Sequence, residues 1–515
     1  MTRRAVGILV VAAWVLALGW HLRRESFQPE VARLAEAAMA LNPGTSFYTL
    51  TMNDRVVGLA NSRLDTLESG FVLEDFMSLE LPALGQTGTA VARTRVELDS
   101  TLTMETFDFS LDSEVGRFQA SGEVRPDSVL EVEIRSQGTT ESLEFQLDAP
   151  PVFAAVVPIR VAMGGELEVG EEIRLPVFDP STLSTRTVEV RVLAHDTMTV
   201  PDSTTRDPES GRFVASRTDT IPVWKIAESF GGVSVESWID EDGRIVQASS
   251  PMGFSMERTE YELARQAQED ARSAGLSSPV DDDVILSTAI QSNVELDDVE
   301  AREELRFVLS GVELDGFDLE GGRQSLRGDT LVVRRESLAE LDPGYDLPYP
   351  RMDLADALAP EPLIQSDDPR IQEMARQMVG RSAFDRGLDD PREAAGELTR
   401  AVYRMLDKTV TFSVPSAVQV LESRQGDCNE HTVLYVALAR AVGLPARTAV
   451  GLVYLDGSFF YHAWPEVWMG EWVAVDPTFG QVPADAAHIR FVIGGLAQQV
   501  EIVRLIGRLE IEVVS

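Results

Sequence analysis

The single cysteine of the chain, Cys428, lies in the hexapeptide Gly-Asp-Cys-Asn-Glu-His at residues 426–431. Asp427 and Glu430 have the Asp-x-x-Glu spacing of a capping box, so Cys428 is predicted to be the first residue of a helix. The positive end of a helix dipole stabilises a thiolate, which would lower the pKa of the thiol. An isolated cysteine is otherwise most often a small buried apolar residue. Its position at a helix start favours a nucleophile.

A cysteine nucleophile needs a base, and two histidines are near enough to consider. His431 lies on the same predicted helix as Cys428, but side chains three positions apart meet side by side, and this histidine has no residue to orient it. We expect a supporting or surface role for it. His462 lies on a predicted strand at residues 459–468, where alternate side chains share one face. We therefore prefer His462 as the base.

Asp476 ends the next predicted strand and can orient the histidine. A three-residue loop at 469–471 would make His462 and Asp476 diagonal neighbours, whereas a five-residue loop would place them directly opposite. In either register the carboxylate can hold one imidazole nitrogen and aim the other at the thiol. An aspartate before a proline is also common at strand ends for structural reasons. His488 and His195 have no comparable neighbours and are not assigned.

Two longer blocks carry a family resemblance. RQGDCNEHTVLYVALARAVGLPARTAVGLVY and FFYHAWPEVWMGEWVAVDPTFGQ resemble the core of the transglutaminase-like superfamily, with its Gly-x-Cys helix start, His-x-Trp-x-Glu strand and Asp-Pro-Thr strand end. The resemblance covers about residues 421–481. It implies a papain-like α+β domain with Cys428 as nucleophile, His462 as base and Asp476 as orienter, and neither a cofactor nor a metal. The backbone N–H of Cys428 is the expected half of an oxyanion hole.

The elements that must position these residues occupy the C-terminal part of the chain. A helix is predicted after Asp390-Pro391, where an N-cap precedes a proline at the first helical position. A second helix, about 427–442, is apolar nearly all round and is predicted to be buried, with Gly443 ending it. Strands follow at 448–455, 459–468 and 472–475. We predict a transglutaminase-like domain over residues 363–500 and a C-terminal strand at 501–515.

The region 46–256 has a different pattern, with apolar and polar residues alternating in several runs, among them Leu130-Val132-Ile134 and Val188-Val190-Val192. Such runs predict a large antiparallel β-rich domain with one buried face. No cluster of chemically active residues appears in it, so a scaffold or binding role is expected. Residues 257–341 are predicted to be a helical linker and a small β segment, and 342–362 a proline-rich linker. The predicted fold class is therefore α+β.

The N-terminus predicts a membrane helix. An apolar run at 5–22 lies between Arg3-Arg4 and Arg23-Arg24, and a cleavage site near Gly19 stays open as an alternative. We expect a cytoplasmic stub at 1–4, a single-pass signal anchor at 5–22 in the cell inner membrane, and a large extracytoplasmic (periplasmic) part.

Composition restricts the partners. Lysine and arginine number 45 against 84 aspartates and glutamates, a net charge of −39, which disfavours nucleic acids and anionic lipid surfaces. Asp240-Glu241-Asp242-Gly243 has the composition of a hairpin turn and not of a calcium loop. One cysteine allows no internal disulfide.

The functional hypothesis is a membrane-tethered thiol acyl-transfer enzyme that acts on peptide or protein amide bonds. Water as the acceptor would make it a cysteine protease or amidase, and an amine would make it a transglutaminase. The alternative is a non-catalytic envelope scaffold whose β-rich domain binds a partner. The sequence leaves the oligomeric state open.

Overall fold

The computed structural model describes residues 30–514 except 84–85, 115, 137–138, 231–232, 251–252, 275–283, 381–388 and 412. The predicted signal anchor at 5–22 lies outside the described residues. Within the described part, no helix is both long enough and apolar enough to cross a membrane.

The strands of the N-terminal half are β1 (Gly44–Met52), β2 (Arg55–Thr66), β3 (Gly70–Ala83), β4 (Gln86–Asp99), β5 (Met104–Ser113), β6 (Gly116–Val124), β7 (Val129–Ser136), β8 (Thr139–Gln146), β9 (Val152–Phe153), β10 (Glu172–Asp179), β11 (Ser184–Arg206), β12 (Phe213–Phe230), β13 (Val233–Ile239), β14 (Ile245–Ser249) and β15 (Phe254–Thr259). Those of the C-terminal half are β16 (Ile290–Gln291), β17 (Glu304–Ser310), β18 (Gln324–Arg327), β19 (Thr330–Arg334), β20 (Asp407–Lys408), β21 (Gln425–Gly426), β22 (Ala446–Leu455), β23 (Ser458–Trp468), β24 (Trp472–Ala474), β25 (His488–Ile493) and β26 (Glu510–Val513).

The described α-helices are α1 (Glu30–Ala38), α2 (Val157–Ala162), α3 (Tyr261–Ala274), α4 (Val284–Ser287), α5 (Pro369–Met378), α6 (Pro391–Met405), α7 (Ala417–Ser423), α8 (Cys428–Ala441) and α9 (Leu496–Gln499). Short 3₁₀ helices occupy Ala154–Val156, Val299–Ala301 and Val500–Leu505.

Residues 44–259 form one 15-stranded sheet, here called the β-rich unit. Strands β1–β8 follow one another in space, β10–β15 do the same, and β15 pairs with β1 to join the two halves. The predicted antiparallel order holds except for β9, which pairs with β10 in parallel. The alternation that predicted β7 is confirmed, because Leu130, Val132 and Ile134 are all buried. The hairpin predicted at 240–243 is also confirmed, joining β13 to β14.

The sheet of the β-rich unit curls upon itself. Phe107 of β5 lies 5.1 Å from Phe178 of β10, ring centroid to centroid, although the two strands are far apart in the order of the sheet. Phe145 of β8 contacts the same Phe178 ring at 6.1 Å. Helix α2 packs inside the curl with Val157 and Val161 buried. Apolar burial of this kind is what holds a curved sheet closed.

The C-terminal unit, residues 290–513, has two larger sheets, a small sheet in which β20 pairs with β21, and a layer of helices. Strands β16-β23-β22-β25, with β24 on β23, form a five-stranded sheet, and β18-β19-β17-β26 form a four-stranded one. Helices α5–α8 share one apolar core with β23 and β24. The four-stranded sheet shares a second core with β22 and β25. The five-stranded sheet thus has apolar layers that fix it on both sides.

Helix α8 is the buried helix that the sequence predicted. Leu434 and Leu438 are fully buried in the helical core. The helix ends where expected: Gly443 has φ +81°, a conformation that favours glycine, and its N–H donates to the Arg440 carbonyl at 3.0 Å. Because the helix is buried in the core, its packing fixes the position of its first residue, Cys428.

The proline-rich segment 342–362 contains no helix and no strand, yet it is packed. The Leu347 N–H donates to the Asp389 carbonyl at 2.8 Å, and the Tyr349 N–H donates to the Gly443 carbonyl at 2.9 Å. Leu347 and Tyr349 are both buried. The segment therefore lies along the helical layer of the C-terminal unit.

Candidate active site

Cys428 is the first residue of α8, as the capping box predicted. Asp427 Oδ1 accepts from the Asn429 N–H at 3.0 Å, and Glu430 Oε2 accepts from the Asp427 N–H at 3.0 Å. The other Glu430 oxygen accepts from the hydroxyls of Thr411 and Ser413 at 2.6 and 2.8 Å. These bonds satisfy donors at the helix start that have no intrahelical partner. They also fix Cys428 in place.

The environment of the Cys428 thiol differs from the sequence expectation. Burial raises its pKa well above the usual value, and the Asp427 carboxylate adds to this. The Ala463 backbone N–H donates to the sulfur and opposes the rise without cancelling it. The predicted lowering by the helix dipole is thus outweighed by burial and a neighbouring acid. The raised pKa favours the neutral thiol, which needs a base when it reacts.

His462 and Asp476 are brought together as predicted. His462 Nε2 lies 2.7 Å from Asp476 Oδ2, and both residues are buried. Trp468 pairs with Trp472 across a three-residue loop, so the diagonal register is confirmed and the directly opposite one is wrong. The hydrogen bond occupies Nε2, which leaves Nδ1 as the ring nitrogen for proton transfer. Ala463, whose N–H meets the sulfur, is next to His462 in β23.

Asp476 accepts hydrogen bonds on both oxygens. Oδ1 takes the backbone N–H groups of Thr478 and Phe479 at 2.6 and 3.0 Å, while Oδ2 faces His462. Burial alone would raise the pKa of Asp476, but the imidazoles of His462 and His488 reverse the effect and hold that pKa far below its usual range. The carboxylate is therefore ionised and fixed at every pH at which the protein would work.

His488 is the site residue that sequence reasoning missed. Its Nε2 lies 3.0 Å from the same Asp476 oxygen, and its Nδ1 lies 2.9 Å from Asp485 Oδ1. Burial would lower the pKa of His488, but the two carboxylates raise it to about 9. The two carboxylates thus favour the imidazolium form of His488, in which both ring nitrogens can donate. The Asp-x-x-His spacing of Asp485 and His488 was the sequence signal for this residue. His488 reaches Asp476 only through the pairing of β25 with β22.

The ring of His462 stacks with two aromatic side chains. Phe479 lies at 5.1 Å between centroids with 22° between the planes, and Trp464 lies at 6.0 Å and 23°. Such stacking restricts rotation of the imidazole about its side-chain bonds. The strand supplies Trp464, and the turn that follows Asp476 supplies Phe479, so both motif blocks contribute to orienting the base.

In the part of the chain that the structure describes, His431 makes no hydrogen bond to the Asp476 carboxylate. Its Nδ1 lies 2.6 Å from the Asp427 carbonyl, and its buried Nε2 has no hydrogen-bond partner. Burial lowers the pKa of His431, so its ring is neutral. His195 is remote from the site, stacked on Trp224 in the β-rich unit with centroids 4.7 Å apart.

Glu466, the glutamate of the His-x-Trp-x-Glu block, forms a buried ion-pair group. Its carboxylate lies 2.8 Å from Arg490 and 2.6 Å from Arg447. Burial would raise the pKa of Glu466, but the two guanidinium groups outweigh it and keep that pKa below its usual value. Arg490 stands two positions after His488 on β25, so this pair fixes the strand that carries the second histidine.

Three of these side chains could together hold a metal ion. One ligand atom from each of His462, Asp476 and His488 lies within 4.8 Å of the others. As arranged, both Nε2 atoms make hydrogen bonds to one carboxylate oxygen. A zinc ion with Zn–N distances of about 2.0–2.1 Å would have to replace those bonds. The three side chains form a hydrogen-bonded group in this structure, and a zinc ion would compete with their hydrogen bonds.

Two clefts flank the site. One, of about 350 Å³, lies between the units and is lined by Asn429 and Val433 of α8 together with Leu143 and Phe145 of β8. The other, of about 370 Å³, is lined by Phe479 and by further residues that include Lys408, Tyr403 and Thr478. The first cleft borders Asn429, the residue after Cys428, and the second borders the turn that follows Asp476.

Comparison with known proteins supports the assignment of the C-terminal part. The family model for the transglutaminase-like superfamily matches residues 381–477, which include Cys428, His462 and Asp476. No curated protein matches the chain.

Solved structures give weak likenesses. A proposed cysteine protease from Cytophaga hutchinsonii is 17% identical, covering 41% of this chain and 81% of its own, with a TM-score of 0.27. A β-barrel-like protein of a domain family of unknown function from Brucella abortus is 17% identical, covering 42% and 94%, with a TM-score of 0.31. The periplasmic domain of TgpA from Pseudomonas aeruginosa, bound to ethylmercury, is 19% identical, covering 36% and 75%, with a TM-score of 0.23. These scores carry no argument about function.

Residues 381–477, with the Cys-helix and His-strand blocks in order and Asp476 near their end, match the core of the transglutaminase-like superfamily.

Proposed function

We propose that the protein is a thiol acyl-transfer enzyme that acts on peptide or protein amide bonds through Cys428, His462 and Asp476. The observation that carries the proposal is the buried hydrogen bond of 2.7 Å between His462 Nε2 and Asp476 Oδ2, on a strand that also contacts the thiol through the Ala463 N–H. A base that is oriented by a carboxylate, beside a cysteine at a helix start, is the arrangement that nucleophilic catalysis requires.

The reaction begins with a neutral thiol. The Cys428 S–H proton passes to His462 Nδ1 as the sulfur attacks the amide carbonyl carbon, forming a C–S bond and an oxyanion. The oxyanion collapses, the C–N bond breaks, and His462 gives its proton to the leaving amine. Asp476 stabilises the imidazolium that exists between these two steps.

The resulting thioester is resolved by a second nucleophile. Water or an amine attacks the acyl carbon, His462 takes the proton from that nucleophile, the C–S bond breaks, and the proton returns to the sulfur. Water gives a protease or amidase, and an amine gives a transglutaminase. The backbone N–H of Cys428, at the first position of α8, is the donor we propose for one side of the oxyanion hole.

The same proposal includes a location. The apolar run at 5–22 between arginine pairs supports a single-pass anchor in the inner membrane, with the large C-terminal part extracytoplasmic, where envelope peptides would be the substrates. A non-catalytic scaffold is the alternative. The buried contacts of Asp476 with two imidazoles favour catalysis, because burying such a charge network is costly where a scaffold needs none.

The test is activity profiling of the full chain with a peptide library, with and without a primary amine, followed by mass spectrometry. The wild type should release peptide fragments or incorporate the amine, and the outcome identifies the acceptor. Cys428→Ala should do neither, while His195→Gln should behave as the wild type. Equal turnover by the Cys428→Ala variant, or no turnover by the wild type, would support the scaffold.

A further inference from the structure

The β-rich unit contains a cavity of about 410 Å³ on the inner face of its curled sheet. Its lining comes from β1–β5, from residues 154–159 at the start of α2, and from β12, β14 and β15. The lining is largely apolar: Leu64, Leu73, Phe109, Pro158, Ile159 and Met256. A cavity of this size and lining is typical of sites for small apolar molecules.

Two carboxylates face this apolar cavity from different strands. Asp75 lies on β3 and Glu228 on β12, and both line the cavity. Oδ1 of Asp75 is buried and has no hydrogen-bond partner. Burial raises the pKa of Asp75 to about 6 and that of Glu228 to about 7. Polar groups buried in this way are normally paired.

The cations near the cavity are already engaged. Arg244 lines it, but its guanidinium lies 3.8 Å from the Asp242 carboxylate and donates to the Asn42 carbonyl. Arg258, which is near Tyr48, lies 2.9 Å from the Asp240 carboxylate. Among the described residues, none forms an ion pair with either cavity carboxylate.

Asp75 also lines a second cavity with Arg63, Arg93 and Arg95, and each of these forms an ion pair with another carboxylate. The neighbours of Asp75 that lie in the apolar cavity include two hydroxyls. Ser62 bonds to Asp75, and burial raises the pKa of the Tyr48 hydroxyl above its usual value, so that hydroxyl stays protonated. The cavity thus combines an apolar wall with two negative groups that have no charged partner. A ligand that is apolar over most of its surface and carries one positive group would satisfy both features.

We propose that this cavity binds a small amphiphile with an apolar body and one amine, whose ammonium group pairs with Asp75 and Glu228. The site lies in a different unit from Cys428, so the inference does not depend on the proposed thiol chemistry. Neutral apolar ligands would fill the cavity but leave the two carboxylates unpaired, and carboxylic acids would add like charge.

The test uses titration calorimetry on the full chain in lipid nanodiscs, with empty nanodiscs as the reference and three probes of equal chain length. Hexylamine should bind at least tenfold more tightly than hexanol, and hexanoate should not bind. The double variant Asp75→Asn, Glu228→Gln should remove the preference for the amine while it still binds hexanol. The control Glu105→Gln, at an exposed position on β5, should bind as the wild type does.

The pH dependence provides a readout that needs no variant. Because the carboxylates must be ionised to pair with an ammonium group, the affinity for hexylamine should rise about tenfold or more from pH 5 to pH 8. The proposal is overturned if none of the three probes binds or if hexanol and hexylamine bind equally. It is also overturned if the affinity for hexylamine does not change with pH.

Discussion

Two carboxylates in this chain have pKa values that are shifted in opposite directions. Asp476, in the C-terminal unit, has two imidazoles and two backbone N–H groups around it, and its pKa is held far below the usual range. Glu228, in the β-rich unit, has none of these, and its pKa rises to about 7. Burial raises the pKa of both carboxylates, so their hydrogen-bond and charge partners decide the direction of the net shift. A fully partnered carboxylate suits orientation of a base, and an unpartnered one suits capture of a cation.

The largest expected effect comes from removing the charge of Asp476. Asp476→Asn keeps the shape but cannot stabilise the imidazolium of His462, and it also leaves the cation of His488 without one of its two partners. We expect kcat/KM toward the peptide identified by profiling to fall by about 10³–10⁴. The check is steady-state kinetics beside the matched variant Asp485→Asn, because the Asp485 carboxylate bonds to His488, Gln481 and the Ala487 N–H but not to His462. Equal losses in both would mean that the carboxylate does not act through His462.

The second effect is a pH-dependent loss of stability in the C-terminal unit. The pKa of His488 is raised from 6.5 to about 9, so its stabilising contribution is complete below pH 6.5 and is lost as the pH rises through about 9. That rise corresponds to at most about 3 kcal/mol in the free energy of unfolding. Denaturant unfolding at several pH values measures it.

His488→Gln is the control for that titration, because glutamine can donate one hydrogen bond but cannot titrate. The variant should show a smaller decrease in stability between pH 6.5 and 9 than the wild type. Parallel curves for the two proteins would show that His488 is not charged in the folded state.

The third effect is a gain of stability when Glu228 is substituted. Because the pKa of Glu228 is raised from 4.5 to about 7, its ionised form destabilises the fold, and the penalty grows as the pH rises from 4.5 through 7. Glu228→Gln should therefore stabilise the β-rich unit at pH 8 by about 1–3 kcal/mol and leave it almost unchanged at pH 4. Thermal unfolding at both pH values tests this, and a destabilised variant at pH 8 would reveal an undetected partner for Glu228.

The smallest expected effect is that of a chelator. If His462, Asp476 and His488 work as a hydrogen-bonded group, then dialysis against EDTA should leave turnover unchanged. Added zinc should inhibit, because it would occupy the Nε2 atoms that now face Asp476. Loss of turnover on dialysis, restored by zinc, would show that the three residues form a metal centre.

Local chemistry was predictable from the sequence in both units. The capping box around Cys428, the hairpin that brings His462 to Asp476 and the alternation in β7 depend on residues close together in the chain, although the sequence left a three- or five-residue loop open in that hairpin. These patterns follow from helix caps, turn geometry and the two-residue period of a strand.

What the sequence could not show depends on contacts between distant segments. His488 reaches Asp476 only because β25 pairs with β22, and Asp75 and Glu228 meet one cavity only because the sheet curls. The pKa of Cys428 was predicted in the wrong direction because a helix start is visible in sequence, whereas burial of the thiol is not. The proline-rich segment 342–362 was assigned as a linker from composition, which does not reveal that Leu347 and Tyr349 are buried.

The central claim is that His462 takes the proton from a neutral Cys428 thiol. Alkylation by iodoacetamide at pH 7, followed by mass spectrometry of the modified residue, tests it without any knowledge of the substrate. The wild type should be alkylated at Cys428 about a hundredfold faster than His462→Gln, in keeping with the usual contribution of a general base, and His431→Gln should react much as the wild type does. Equal rates in the wild type and His462→Gln would contradict the account.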